Sequence, residues 1–155
     1  MKTVFVKELS MWLYDQLITL WTEANLPFKP KGRDSYRSLS NRLEQTSTWL
    51  MVAIDDTDNI HELELKDGLI GAVIVTHDGQ RGWINRLAIH PKHRKKGYAK
   101  HLLEKCEQFL RTQGIYLFAA LVEKTNVPSL NLFQSSGYRV HDELLYLSKR
   151  DSMDY

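Results

Sequence analysis

The chain of 155 residues is 43% apolar and 26% charged, which is ordinary globular usage, and its length suits one domain over residues 1–155. A net charge of +2 is too small to mark a nucleic-acid binder, and one cysteine excludes both an internal disulfide and a cysteine-based metal cluster. No export signal and no run of about 18 apolar residues is present, so the expectation is a cytoplasmic protein that does not engage a membrane.

Thr3 to Val6 suits a short first strand, and Trp12, Leu13, Leu17, Leu20 and Trp21 then make a helical stripe ending near Asn25. Trp12 and Trp21 read as core residues of that stripe. Pro27 and Pro30 interrupt the chain before Asp34 or Ser35 caps a second helix carrying Tyr36, Leu39 and Leu43. Trp49 to Ile54 reads as a strand, followed by a polar loop over residues 55–59. Leu69 to Thr76 is another strand, bracketed by the turn dipeptides Asp67-Gly68 and Asp78-Gly79, which makes an antiparallel meander.

The next apolar run ends at Leu87, Ala88 and Ile89, because Pro91 lacks the N–H a further ladder bond would need. From Gly97 onward Ala99, Leu102, Leu103, Cys106, Phe109 and Leu110 recur at spacings of three and four, one face of a helix ending near Gly114. Cys106 on that face reads as a small buried hydrophobe rather than a nucleophile. Lys92, Arg94, Lys95 and Lys96 sit just before the first turn, where unpaired N–H groups and the macrodipole attract an anion. Gly97 lets phosphate oxygens approach the backbone closely. His90, His93 and His101 surround this loop without an acidic or cysteine partner, so no metal site is expected. Ile115 to Val122 predicts a further strand, Val127 to Ser135 a short helix, and Tyr138 to Val140 with Leu144 to Lys149 the closing strands.

The segment from Leu87 through Arg94-Lys95-Lys96-Gly97-Tyr98-Ala99 resembles motif A of the GNAT superfamily, the acyl-CoA-dependent N-acyltransferases. Asn126-x-x-Ser129-x-x-Leu132-Phe133-x-x-x-Gly137-Tyr138 resembles its motif B, and the likeness is clear from about Leu69 to Lys149. The resemblance implies an α/β (α+β) fold whose mixed central sheet of about six or seven strands is flanked by about four helices and splays between its two central strands. It implies acetyl-CoA as co-substrate, with backbone at Leu87, Ala88 and Ile89 meeting the pantetheine amides. The N–H groups from Arg94 to Ala99, beside Lys100, would hold the diphosphate. Asn126 would bond the co-substrate or a water near the sulfur, or cap the following helix, or both; Ser129 and Phe133 would line the slot. Tyr14, Phe28 and the loop Lys29-Pro-Lys-Gly-Arg33 fall where the family places its acceptor-binding elements. The acceptor implied is a primary amine, of a small molecule or of a protein or peptide, acted on by a monomer or homodimer with no nucleic-acid or membrane partner.

Three positions depart from the family's pattern. Phe133 stands where many members carry the tyrosine that protonates the departing thiolate, which leaves solvent, Tyr138 or Tyr146 as the source, or unassisted departure at a thiol pKa of about 8.5. Trp83 and Leu121 stand where two branches keep a glutamate base. Glu123, close to Asn126, is then the nearest acidic candidate, with His77 and Asp78 behind it. An acyl-CoA-binding module without turnover is the alternative these departures raise, and a nucleic-acid binder using the basic loop is the weakest, because no aromatic stacking surface accompanies it.

Overall fold

The computed structural model describes residues 1–155. Five strands lie in sequence order across one sheet: β1 (Lys2–Val6), β2 (Thr48–Ile54), β3 (Gly71–His77), β4 (Arg81–Ile89) and β5 (Leu117–Ala119). The first four are antiparallel neighbours, and β5 runs parallel to β4. Four helices accompany them: α1 (Met11–Glu23), α2 (Tyr36–Glu44), α3 (Tyr98–Thr112) and α4 (Val127–Ser135). No helix is long and apolar enough to cross a membrane.

Side-chain alternation divides the apolar residues between the two faces of the sheet. On one face Leu50, Val52, Ile54, Ile74 and Ala88 meet Leu13, Leu17, Leu20 and Trp21 of α1 and Leu39 and Leu43 of α2. On the other, Met51, Ala53, Val73, Val75, Ile84 and Ile89 meet Leu102, Leu103, Cys106 and Leu110 of α3 and Phe133 of α4. With both faces covered, every residue of β2 is buried.

The caps follow local chemistry. Ser10 Oγ accepts the Leu13 N–H at 3.1 Å to start α1, and Ser35 Oγ accepts the Ser38 N–H at 3.2 Å to start α2. Ser35 therefore takes the cap for which Asp34 was the other candidate, and Asp34 is occupied elsewhere.

The C-terminal third departs from expectation. β5 is three residues long where eight were expected (Ile115 to Val122), and neither Tyr138–Val140 nor Leu144–Lys149 forms a strand, so the sheet has five strands and not six or seven. The charged stretch around residues 139–144 turns on itself: Leu144 N–H donates to the His141 carbonyl, and Arg139 and His141 both pair with Glu143. Leu144 to Leu147 is also a continuous apolar run, so no alternation assigns it an inner face. These residues stay exposed, Leu145 at 85% and Leu147 at 86%. The tail returns to the α1–α2 loop, where the Arg33 N–H donates to the Asp154 carbonyl at 3.3 Å.

Candidate active site

The centre of the site is an irregularity in β4. Ile74 pairs with Asn85 but Ala72 pairs with Ala88, so β4 carries one residue more than β3 over this interval. The extra residue is accommodated at Arg86, whose φ is 56°. Such a bulge re-aims side chains on either side of it. Pairing with β5 covers only Arg81 to Trp83 against Leu117 to Ala119. From Ile84 to Ile89 the edge of β4 has no strand beside it, which is the parting between central strands that the family resemblance implies.

Immediately beyond, Pro91 opens a single 3-10 turn, with His90 Nδ1 accepting the Lys92 N–H at 3.2 Å. Arg94 closes the turn through its N–H on the Pro91 carbonyl at 3.3 Å. Its guanidinium faces inward, donating to the Ile89 and Ala24 carbonyls at 3.3 and 3.1 Å, and so ties the end of β4 to the end of α1. The amide of Arg94, expected in the anion-binding set, thus has an acceptor within the protein. The amides of Lys95, Lys96, Gly97, Tyr98, Ala99 and Lys100 have no acceptor in the protein. Lys95 and Gly97 have φ of 60° and 79°, which turns successive N–H groups toward one side. A Cβ built on Gly97 would meet nothing within 4 Å. The space above it is an open cleft of about 470 Å³ bordered by Lys96, Tyr98, Lys100 and His101, with Met1 and Glu104 at its edge.

Asn126 caps α4, its Oδ1 accepting the Ser129 N–H at 3.2 Å. Asn126 and Glu123 are both exposed in the link from β5 to α4, with the Asn126 N–H on the Glu123 carbonyl at 2.9 Å. Phe133 is buried, edge-on to Tyr138 with ring centroids 4.9 Å apart. The Tyr138 hydroxyl is buried in the α3 neighbourhood of Cys106, Glu107 and Arg111. Burial first, and then the Glu107 carboxylate, push its pKa upward, against a role as proton donor at the strand gap. Tyr146 lies in the exposed tail.

Arg86 and Asp34 form a feature of the site that sequence reasoning missed. Asp34 is 1% exposed, and its Oδ2 accepts from Arg86 Nη2 at 2.6 Å and from the Lys29 N–H at 2.8 Å. Arg86 Nη1 also donates to the Pro27 carbonyl, and its guanidinium lies 5.8 Å from the Trp21 ring centre. Tyr14 Oη donates to the Asp34 carbonyl at 2.9 Å. The α1–α2 loop is therefore clamped to the β4 bulge, one residue before Leu87. Burial lowers the pKa of Arg86 and Arg42, and Asp34 opposes that shift. Both stay protonated at any ordinary pH.

A mixed sheet parted beside a row of free amides at a helix start offers room for an anionic molecule along an unpaired strand edge. The chain belongs to the acetyltransferase (GNAT) family, whose sequence profile matches residues 14–138. It is an acetyl-transferring enzyme. Acetyltransferase SG1711 of Sodalis glossinidius is 25% identical over 139 residues, covering 88% of each chain. Among solved structures, the aminoglycoside acetyltransferase meta-AAC0020 from an uncultured soil metagenomic sample superposes with a TM-score of 0.74 at 18% identity, over 97% of this chain and 96% of that one. The PaiA N-acetyltransferase of Thermoplasma acidophilum, in complex with coenzyme A, gives 0.70 at 20% identity over 92% of both chains. At these identities the solved structures share the fold.

Proposed function

We propose that this enzyme transfers acetyl from acetyl-CoA to a primary amine by direct attack within a ternary complex. The observation that carries the reading is the row of unengaged amides from Lys95 to Lys100, set beside the unpaired edge of β4. Those amides, with the open space over Gly97, suit the diphosphate of coenzyme A. Backbone at Leu87, Ala88 and Ile89 meets the pantetheine amides and polarises the thioester carbonyl, while Ser129 and Phe133 border the slot. An acyl thioester is already activated toward amines, so alignment and charge stabilisation supply most of the acceleration. Asn126 holds a water near the sulfur. With phenylalanine at 133 and the Tyr138 hydroxyl beside α3, the thiolate leaves unassisted and solvent supplies its proton. Glu123 accepts the amine's proton through water. The coenzyme A held by the Thermoplasma acidophilum protein supports the co-substrate, and the aminoglycoside enzyme from soil supports a small-molecule amine.

A thermal-shift titration with acetyl-CoA, coenzyme A and an oligonucleotide tests the binding half, and thiol release over a panel of amines tests the transfer half. Stabilisation by both CoA species together with thiol release is expected. Stabilisation by the oligonucleotide alone would overturn the reading. Binding of acetyl-CoA with silence across polyamines, amino acids, aminoglycosides and peptides would favour a binding module without turnover, the reading that Phe133 and the absent glutamates at Trp83 and Leu121 support.

A further inference from the structure

The α1–α2 loop holds more positive than negative charge. The loop carries Lys29, Lys31 and Arg33 against the single carboxylate of Asp34, and α2 adds Arg37 and Arg42 against Glu44. Arg86 adds a further cation from β4. The Asp34 side chain is buried, and Oδ2 already accepts from Arg86 and from the Lys29 N–H, so it has no open face for an ammonium. Arg33, Arg42 and Arg86 crowd round that one carboxylate and repel one another. Arg33 Nε is buried without a hydrogen-bond partner, 3.7 Å from Asp34 Oδ2. Ion pairs in the loop are limited to those of Arg33 and Arg86 with Asp34, which leaves Lys29 and Lys31 unpaired.

The facing part of β4 offers no acid to restore the balance. Trp83 and Asn85 are neutral, and Asn85 Nδ2 is held by Thr76 Oγ1 at 3.2 Å and the Trp83 carbonyl at 3.3 Å. The tail brings Asp154 against Gly32, its carbonyl accepting the Arg33 N–H, and the Asp154 carboxylate forms no ion pair with Lys29, Lys31 or Arg33. Because the Arg86 clamp fixes this loop beside Leu87, its field falls on the approach to the acetyl group. A cation-rich lip draws anionic molecules and disfavours polycations, which lose Coulomb energy there.

We infer that the amine acceptor carries a carboxylate near its amine, received by Lys29, Lys31 and Arg33, and that polycationic amines are disfavoured. This rests on the acetyl-transfer reading above. The amine nitrogen forms the C–N bond as the C–S bond breaks, coenzyme A leaves as the thiolate, and the amine's proton passes through water to Glu123.

The test is thiol release by the intact chain from acetyl-CoA with three peptide amines of similar size, Glu-Glu-amide, Gln-Gln-amide and Arg-Arg-amide, at low and high salt. The expected order of kcat/KM is Glu-Glu above Gln-Gln above Arg-Arg, with about ten-fold between the first two at low salt, the effect of two exposed charge contacts. High salt should compress the order, since exposed charges are screened. Lys29→Gln with Lys31→Gln should bring the Glu-Glu rate down toward that of Gln-Gln, chiefly through KM. An equal or inverted order, or one that high salt leaves intact, overturns the inference while the acetyl-transfer reading stands. Silence with all three peptides and with the wider amine panel, while acetyl-CoA binds, overturns that reading and the inference with it.

Discussion

Replacing Asp34 by Ala tests the clamp between the α1–α2 loop and β4. The change removes the acceptor of the Arg86 Nη2 and Lys29 N–H bonds, and leaves three guanidinium groups around a site with no counter-charge. Breaking a buried ion pair from one side costs about 3–5 kcal/mol, because the surviving charge stays buried and alone. The Arg86 side chain is 16% exposed, so some solvation remains and the lower end, about 3 kcal/mol, applies. With a urea m-value of about 2 kcal/mol/M for a chain of this size, the midpoint falls by about 1.5 M. Arg86→Met should cost a comparable amount, and the double variant should lose less than the sum by about 2 kcal/mol or more, since the pair is directly bonded. A loss below about 1 kcal/mol for Asp34→Ala, or strict additivity in the cycle, would refute the clamp.

Gly97→Glu sets a side chain into the open cleft over the phosphate loop and brings an anion to its amides. Calorimetry should show coenzyme A affinity falling more than about ten-fold, whereas unchanged affinity would remove the anion-site assignment. Burial lifts the Cys106 thiol from its ordinary 9.0 to about 12, so a thiol reagent should label it at pH 8 only as the chain unfolds. The unfolded thiol ionises from pH 9.0 upward and the folded one only near 12, so the unfolded chain holds fewer protons in between and stability should fall with pH across that window. Measured stability that rises over the same range would contradict the burial. At Gly32 a Cβ would overlap the Asp154 carbonyl, so Gly32→Ala should release the tail and speed proteolytic trimming after Tyr138 without lowering the unfolding midpoint. Unaltered trimming would show that the contact does not hold the tail.

What the sequence made legible was local. Pro91, Gly97 and the apolar period of α3 lie within one short stretch, and strand end, loop and helix start follow from them without long-range information. The same holds for the stripes of α1 and α2. Asp34 was legible only as one of two adjacent cap-competent residues. The choice between them is made by Arg86, 52 positions away, which takes the carboxylate and leaves the cap to Ser35. Nothing in a strand pattern marks Arg86 as the residue with positive φ, because a bulge needs only one extra residue and any side chain short of a β-branched one can be forced there. The tail misled for a different reason. Leu144-Leu145-Tyr146-Leu147 has strand-forming residues, but with β5 only three residues long little ladder is left for them to extend. Tyr138 likewise matched a motif position, while the packing of its ring on Phe133 decides where its hydroxyl lies.

The brevity of β5 has a consequence for how the molecule breathes. Three residue pairs join everything after Leu117 to the sheet, and beyond them Phe133 and Tyr138 are the principal anchors of α4 in the core. With so few ties to the sheet, the segment of β5 and α4 opens at a free energy below that of global unfolding, at the cost of its Phe133 and Tyr138 contacts with α3. In the proposed site one half is thus formed before any ligand arrives, whereas Asn126, Ser129 and Phe133 lie in a half whose closure is a population to be shifted. A ligand bridging both halves gains affinity in proportion to how far it fills that closed population, and substitutions remote from the ligand, at β5 or beneath α4, become levers on its binding.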